Sequence, residues 1–292
     1  MSLPIVRTVA ELRAQVSAWR RDGLTVGLTP TMGALHPGHL SLVHLAKARA
    51  DKAVATLFVN PTQFGENEDL DTYPRDEGQD AELLSKEGCD LLFAPSVGEM
   101  YPPDFSTSVR VSGLSDVLCG AHREGHFDGV AQVVAKLLNQ AQADIAVFGE
   151  KDWQQLAIIR RMARDLDIPT KIVGAPIIRE DDGLAMSSRN RYLSPEERAI
   201  APELNRALRT AADRIASGAL VAEALAQAER HVLDAGFERV DYVDARHAET
   251  LDVVRQIPPA GPGRVFGAAV LGKARLIDNV SIPETQASPE AP

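Results

Sequence analysis

The fold of this 292-residue chain is decided by residues 30–39, which read PTMGALHPGH. An apolar run at 25–28 precedes this stretch. The segment that follows it carries Leu42, Ala46 and Ala50 four residues apart, on one face of a helix. The pattern predicts a strand, a loop with two glycines and a helix in succession. This succession is the repeating unit of sheets built from parallel strands.

Further units of the same kind lie on both sides of this stretch. The predicted strands are nearly continuous apolar runs, which is typical of strands covered on both faces. They are 25–28, 53–59, 91–94, 109–111, 144–148 and 171–173, and the helices between them are 8–21, 38–50, 76–87, 128–141 and 152–166. We therefore predict an α/β domain at 1–176 with a doubly wound, Rossmann-like parallel sheet.

The sequence changes character after residue 176. Ser194, Pro195 and Glu197 form a capping-box pattern that begins a helix to about residue 217. A second helix is predicted at 221–235, and strands at 239–245 and 264–271. These elements predict a smaller α+β domain at 177–282. The last residues, 283–292, are rich in Pro, Glu, Ser and Ala, which predicts a mobile tail.

Composition excludes several classes of protein. The chain is 45% hydrophobic and 25% charged, which is typical of a globular protein. A net charge of −10 argues against a nucleic-acid binder but allows a small anionic ligand. Two cysteines, Cys89 and Cys119, are too few for a disulfide framework or a four-cysteine zinc site. No apolar run approaches the roughly 20 residues of a membrane span, and the N-terminus does not resemble a secretory signal, so we expect a cytoplasmic protein.

The stretch at 30–39 also carries the clearest chemistry. Gly33 and Gly38 allow a ligand to approach the backbone closely. The helix that begins there offers free N–H groups and the positive end of its dipole to a phosphate. As imidazolium ions, His36 and His39 could donate hydrogen bonds to phosphate oxygens and offset charge on a pyrophosphate leaving group. The alternative is a capped turn with two surface histidines, but the pair at a strand-to-helix junction favours a nucleotide site.

Three other stretches offer groups for an anionic ligand. Residues 58–65 read FVNPTQFG and contain Gln63, which can both donate to and accept from a ligand. Residues 148–152 read FGEKD, where Lys151 can neutralise phosphate and Asp152 can cap a helix or hold a hydroxyl. Residues 186–189 read MSSR, and two hydroxyls with a guanidinium suit a triphosphate. Each stretch alone is also compatible with an ordinary turn or linker.

Together and in this order, the four stretches resemble the pantoate–β-alanine ligases. The resemblance extends to YPR at 73–75, FGEKDWQQ at 148–155 and MSSRN at 186–190, and it covers most of the chain. This family belongs to the His-x-Gly-His nucleotidyltransferases, which are related to class I aminoacyl-tRNA synthetases. The resemblance implies that pantoate attacks the α-phosphate of ATP to give pantoyl adenylate, with Mg²⁺ bridging phosphates. β-Alanine then displaces AMP to give pantothenate, an enzyme activity usually carried by a homodimer.

The resemblance also implies roles for individual residues. His39 is the expected acid, His36 and Lys151 contact phosphate, and Ser187, Ser188 and Arg189 close over the triphosphate with the C-terminal domain. Gln63 is expected to contact both pantoate and β-alanine, and Gln155 to be a second pantoate contact. The expected ATP-binding residues are Met32, Gly33, Ala34, Leu35, His36, Pro37, Gly38, His39, Gly149, Glu150, Lys151, Asp152, Ile178 on the adenine side, Met186, Ser187, Ser188 and Arg189.

Two regions and the choice of reaction leave alternatives open. Residues 66–82 hold eight acidic residues, so Asp80 is either a Mg²⁺ ligand or part of a solvated acidic surface. His122, Arg123 and His126 either face the pocket or form a surface loop. Another nucleotidyltransferase of the same superfamily and a nucleotide sensor without catalysis are the alternative functions. A tRNA synthetase is disfavoured by the acidic charge and by the absence of an anticodon-binding module.

Overall fold

The computed structural model of the chain describes residues 3–65, 68, 70–256 and 262–283. The chain divides into two compact units, Met1–Ile178 and Arg179–Pro292. This division lies two residues beyond the change of sequence character at 176. Except for Pro283, the tail expected to be mobile lies outside the described residues.

The first unit is an α/β unit around a six-stranded parallel sheet, as its sequence predicts. The strands are β1 (Ile5–Val6), β2 (Val26–Thr31), β3 (Lys52–Leu57), β4 (Leu91–Phe93), β5 (Ile145–Gly149) and β6 (Lys171–Ala175). The helices are α1 (Val9–Arg21), α2 (Pro37–Arg49), α3 (Glu77–Lys86), α4 (Val97–Met100), α5 (Cys119–His122), α6 (His126–Ala141) and α7 (Trp153–Asp165).

The strand order β1-β4-β3-β2-β5-β6 places β2 at the centre of the sheet. From β2 the chain continues to β3 and β4 on one side and returns to β5 and β6 on the other. The reversal of order between β2 and β5 is a topological switch point. In open α/β sheets, ligands bind outside the carboxyl ends of the strands at such a point.

The core explains why these residues form these elements. Ala53 on β3 and Val147 on β5 are buried on one face of the sheet. Helix α2 covers this face with its predicted side, because Leu42 and Ala46 are buried in the same apolar cluster. Burying a side chain of leucine size contributes about 1.5–3 kcal/mol to folding, so this shared apolar layer holds α2 firmly against the strands.

At the amino edge of the sheet, aspartates bond the strands to each other. The Thr25 N–H donates to Asp51 over 2.9 Å, the Ala53 N–H to Asp90 over 2.9 Å and the Val26 N–H to Asp144 over 2.7 Å. Each aspartate directly precedes the first residue of a strand. The N–H groups where the strands begin therefore have partners without a ligand.

The prediction of a strand at 109–111 is wrong, because these residues lie in a loop. Val111 is buried, but Arg110 is exposed and pairs with Asp116 over 3.1 Å. This short apolar run thus belongs to a loop and forms no strand. Conversely, β1 was not predicted, because two residues are too few to give a pattern.

Within its described residues, the second unit has three helices and a three-stranded antiparallel sheet. The helices are α8 (Pro195–Ile200), α9 (Glu203–Ala216) and α10 (Val221–Asp234), and the strands β7 (Arg239–His247), β8 (Gly263–Leu271) and β9 (Ala274–Ser281) pair in the order β7-β8-β9. The predicted capping box of Ser194 and Glu197 is present. The helix expected to run to residue 217 is interrupted, because Pro202 has no N–H to continue it. The third strand was not predicted.

No helix within the described ranges combines the length and the apolar character needed to cross a bilayer. Cys89 and Cys119 are both buried and form no disulfide.

Candidate active site

The loop from Met32 to His36 joins β2 to α2 at the switch point. Gly33 and Ala34 both adopt positive φ angles, +87° and +52°. His36 is the N-cap of α2, and its Nδ1 accepts the Gly38 N–H over 3.1 Å. Because a neutral imidazole has one donor and one acceptor nitrogen, neutral His36 carries its proton on Nε2.

His39 lies against His36 at the start of α2, with the ring centroids 4.1 Å apart. The residue is partly exposed, but its Nδ1 is buried and has no hydrogen-bond partner among the described residues. Burial, with the nearby His36 and Lys151 charges, lowers the pKa of His39 to about 3 against the opposing effect of Asp152. The neutral form of the His39 ring is therefore favoured over the imidazolium at pH 7, and the donation from His39 to phosphate stays a prediction.

The turn that follows β5 brings a lysine and a carboxylate to the same edge. Glu150–Asp152 form a single helical turn, and Lys151 Nζ lies 3.8 Å from Asp152 Oδ2. Asp152 occupies the N-cap position of α7, but its side chain makes no capping hydrogen bond. The Asp152 charge instead acts on both His39 and His126 by favouring their protonated forms.

The turn that follows β3 carries Gln63. Buried Asn60 caps this turn, and its Nδ2 donates to Gln63 Oε1 over 3.1 Å. The Asn60 Oδ1 accepts the Tyr101 hydroxyl over 2.9 Å. The Gln63 Nε2 lies 3.0 Å from the sulfur of Met32 in the loop after β2. Three of the four predicted stretches therefore meet at the carboxyl edge, around β3, β2 and β5.

His126 and Arg123 belong to the wall of this site. His126 Nδ1 lies 2.8 Å from the Gln63 carbonyl oxygen, and its Nε2 lies 2.8 Å from Arg123 Nη1. A carbonyl only accepts and a guanidinium only donates, so His126 carries its proton on Nδ1. Burial and the Arg123 charge lower the pKa of His126 to about 4, which keeps the ring neutral. Arg123 also makes a bidentate pair with Glu68, whereas His122 is exposed.

Helix α6 touches the Gln63 turn through a glycine. A Cβ on Gly129 would lie 2.3 Å from the Thr62 carbonyl oxygen and 2.7 Å from the Gln63 nitrogen. Asn60 Nδ2 also donates to the Gly129 carbonyl over 3.1 Å. The position of Gln63 therefore depends on backbone contact with α6.

Of the two glutamines that begin α7, the first is buried. Gln154 Nε2 donates to the Leu114 and Val117 carbonyls over 2.9 and 2.6 Å, and its Oε1 accepts the Cys119 N–H over 3.0 Å. Gln154 thus holds the loop before α5, a role that sequence reasoning missed. Gln155, the predicted pantoate contact, is partly exposed.

Asp80 has a different environment from the one expected of a magnesium ligand. It is only 2% exposed, and its two oxygens accept the Ala34 and Leu35 N–H groups, each over 2.9 Å. Within the described part of the chain, no group of three His, Cys, Asp or Glu side chains could hold a metal ion. We therefore correct the expectation for Asp80, because its carboxylate is committed to the backbone of the loop after β2.

The remaining predicted residues lie around the boundary of the two units. Ile178 follows β6, is partly buried and ends the first unit. Met186–Arg189 belong to the second unit, where Ser187 caps the single turn Ser188–Tyr192 and its Oγ accepts the Arg189 N–H over 3.3 Å. All four residues of this segment are partly exposed.

Comparison with known proteins gives concordant results. The family model for pantoate–β-alanine ligase matches residues 4–281. The chain is 60% identical over 278 residues to the pantothenate synthetase of Paramagnetospirillum magneticum, covering 95% of this chain and 97% of the relative. It is 55% identical over 281 residues to that of Rhodospirillum rubrum, covering 96% and 99%.

Solved structures extend the agreement to the fold. A crystal structure of pantothenate synthetase from Thermus thermophilus has a TM-score of 0.89 and 49% identity, covering 96% of this chain and 99% of that one. The pantoate–β-alanine ligase of Francisella tularensis, complexed with β,γ-ATP and β-alanine, has a TM-score of 0.80 and 31% identity, covering 96% and 98%. The α/β sheet with its small antiparallel second unit is thus the architecture of these enzymes. The chain belongs to the pantoate–β-alanine ligase family.

Proposed function

We propose that this chain condenses pantoate with β-alanine to form pantothenate, with pantoyl adenylate as intermediate and AMP and pyrophosphate as by-products. Membership of the ligase family supports this proposal. The observation that carries it is the meeting of His36, His39, Lys151 and Gln63 at the carboxyl edge of the sheet. Side chains suited to nucleotide phosphates lie there beside Gln63, whose amide is suited to the carboxylate and hydroxyls of an acid.

In the first step, an oxygen of the pantoate carboxylate attacks the α-phosphorus of ATP. A P–O bond to pantoate forms, and the bond from the α-phosphorus to the α,β-bridging oxygen breaks. Pyrophosphate leaves with the electron pair of that bond and so gains negative charge. Lys151 and the start of α2 stabilise this charge. The neutral ring of His39 donates a hydrogen bond to a phosphate oxygen. The negative charge of the bound phosphates also favours the protonated form of this ring. Ser187, Ser188 and Arg189 bind the triphosphate, and Ile178 lies on the adenine side.

In the second step, the neutral amine of β-alanine attacks the acyl carbon of pantoyl adenylate. The C–N bond forms, the bond to AMP breaks, and the amine loses one proton to the solution or to the leaving phosphate. The chain has to hold the reactants in line and needs no nucleophile of its own. Gln63 contacts pantoate and β-alanine, and Gln155 is the second pantoate contact.

ATP enters as its magnesium complex in this proposal. Mg²⁺ prefers phosphate oxygens and water, with one or two carboxylates, to a cage made of protein groups. The described residues do not supply such a cage, and Asp80 is committed elsewhere. We therefore treat Mg²⁺ as part of the substrate and assign no step to it. We also propose that the protein is a homodimer and acts in the cytoplasm. Light scattering, which measures the mass in solution, tests the oligomeric state.

The test of the proposed function is ATP–pyrophosphate exchange without β-alanine. We expect radioactive pyrophosphate to enter ATP only when pantoate is present, because only then can an acyl adenylate form and reverse. Exchange without pantoate, or with another acid instead, would favour a different nucleotidyltransferase. ATP binding without any exchange would favour a nucleotide sensor.

A further inference from the structure

Asp80 reaches the loop after β2 from a different part of the chain. It lies on the first turn of α3, whose N-cap is Asp76. The Asp80 Oδ2 accepts the Ala34 N–H and its Oδ1 accepts the Leu35 N–H, each over 2.9 Å. The side chain is buried, so these bonds are shielded from water.

The loop that Asp80 holds has an unusual backbone. Gly33 and Ala34 have φ angles of +87° and +52°, and an alanine rarely adopts a positive φ. Successive N–H groups in such turns form a concave site for an anion. A Cβ on Gly33 would lie 2.8 Å from Asp80 Oδ2, so the carboxylate fits closely into the curve. The protein's own carboxylate therefore occupies the backbone anion site of this loop.

We propose that Asp80 is a positioning residue for adenylate formation. By fixing the Ala34 and Leu35 N–H groups, it sets the place of the next residue, His36, and of the start of α2 where His39 lies. The phosphates of ATP then bind the helix start and the side chains rather than these two N–H groups. This inference rests on the proposed function, because it assigns Asp80 to that reaction.

The variant Asp80→Asn tests the proposal. An asparagine keeps one acceptor but places an amide N–H against one of the two backbone donors, so the loop has to move. A displacement of about 1 Å at reacting groups costs up to about 100-fold in rate, so we expect pantoate-dependent exchange to fall about 10- to 100-fold in kcat/KM for ATP. The KM for pantoate should rise less than the KM for ATP.

Asp90→Asn is the matched control. Asp90 also accepts a backbone N–H over 2.9 Å and a second donor, Lys52 Nζ, over 3.0 Å, but it lies at the opposite edge of the sheet. A purely structural role for Asp80 predicts that both variants lose exchange in proportion to their loss of thermal stability. That result, or wild-type exchange in folded Asp80→Asn, would overturn the proposal. If Asp80→Asn does not fold, Asp80→Glu replaces it with the same expected loss, since its extra methylene also displaces the loop.

Calorimetric titration with ATP separates this proposal from the proposed function. If the wild type shows no pantoate-dependent exchange, the proposed function fails. Positioning of the nucleotide by Asp80 still predicts that Asp80→Asn binds ATP about tenfold more weakly, or about 1.4 kcal/mol, whereas Asp90→Asn binds it like the wild type. Equal ATP affinity in all three proteins would reject the role of Asp80.

Discussion

The rings of His39 and His126 are neutral for the same physical reason. Water that would stabilise a charged ring is excluded from His39 and His126, and neighbouring cations oppose a further positive charge. His126 is also committed to its neutral form by its two contacts, to the Gln63 carbonyl and to Arg123. At the scale of single residues, burial therefore decides the charge of both rings, and the two contacts of His126 decide its tautomer.

This neutrality predicts that acid destabilises the first unit. In the folded protein the pKa is about 3 for His39 and about 4 for His126, below the ordinary value of 6.5. Between these folded values and pH 6.5, the unfolded chain therefore binds more protons than the folded protein. Stability is then complete above pH 6.5 and falls as the pH is lowered, by up to about 1.4 kcal/mol per histidine and pH unit. Urea unfolding of the wild type from pH 7 to pH 4 should show this slope, and His126→Gln should show a smaller one. Exposed His122→Gln is the control, and an unchanged slope in His126→Gln would contradict the prediction.

The role of His39 predicts a selective loss in the first chemical step. His39→Ala removes the donor at the start of α2, and removing one such donor typically costs about 100- to 1,000-fold in rate. Single-turnover formation of the adenylate measures the step directly. The control is His44→Ala, which changes the same residue type on the same helix where the side chain is exposed and pairs with Glu87. Equal rates in His39→Ala and the wild type would remove His39 from the mechanism.

The proposed role of Gln63 predicts a larger loss of affinity for pantoate than for ATP. Hydrogen bonds to a charged group contribute about 1.5–3 kcal/mol, so Gln63→Ala should raise the KM for pantoate about 10- to 100-fold. The KM for ATP should change much less. Exposed Gln79→Ala on α3 is the control. An equal rise for both substrates would show that Gln63 supports the loop after β2 and is not a dedicated pantoate contact.

The sequence offers candidates for the site residues, but it does not show which residues hold them in place. Gly33, His36, His39 and Gln63 lie in short motifs whose chemistry is visible locally. Asp80 lies about 45 positions from its partners, in an acidic segment where a ligand and a solvated surface look alike. Its role depends on a contact between distant segments, which no local pattern specifies.

At the scale of elements, the contact of α6 with the Gln63 turn makes a prediction about Gly129. A glycine in a helix is normally replaced by alanine with a gain of about 0.5–1 kcal/mol. Here the new Cβ would clash with three backbone atoms, Thr62 O, Thr62 C and Gln63 N, which cannot move aside as a flexible side chain would. We expect Gly129→Ala to lose about 1–3 kcal/mol in urea unfolding and to weaken pantoate binding.

The matched control for this element is Gly78→Ala on α3. Its Cβ would meet only the Asp76 side chain, at an ordinary distance of 3.6 Å. The variant should therefore be as stable as the wild type or more stable. A loss in Gly78→Ala equal to that in Gly129→Ala would show that helix glycines matter here for reasons other than the contact with the turn.

Elements were predictable where a regular pattern is long enough. Helices α1, α2 and α7 follow the periodicity within about two residues. Strand β9 was missed because its two polar residues Asp278 and Asn279 are buried, which breaks the apolar pattern of a strand. Asp278 is buried at this position because it pairs with Arg179 over 2.7 and 2.9 Å. A pairing of residues 99 positions apart cannot be read from the strand itself.

At the scale of the whole chain, the alternation of strands and helices was sufficient for the fold class. Parallel strands need a crossover between them, so the five correctly predicted strands, in alternation with helices, leave few other architectures. The order of strands, and with it the switch point between β2 and β5, is not written in the alternation. The order depends on which strands pair. Only the site motifs, which follow β2, β3 and β5, indicate that the carboxyl ends of these strands lie close together.

The aspartates at the amino edge make the two edges of the sheet different in kind. Asp51, Asp90 and Asp144 close that edge with bonds inside the protein, and Thr25 holds the pKa of Asp51 below its usual value. The opposite edge carries the turns of the proposed active site. To redesign the protein for another acid or amine, these turns could be replaced one at a time. The hydrogen bonds at the amino edge would stay as they are.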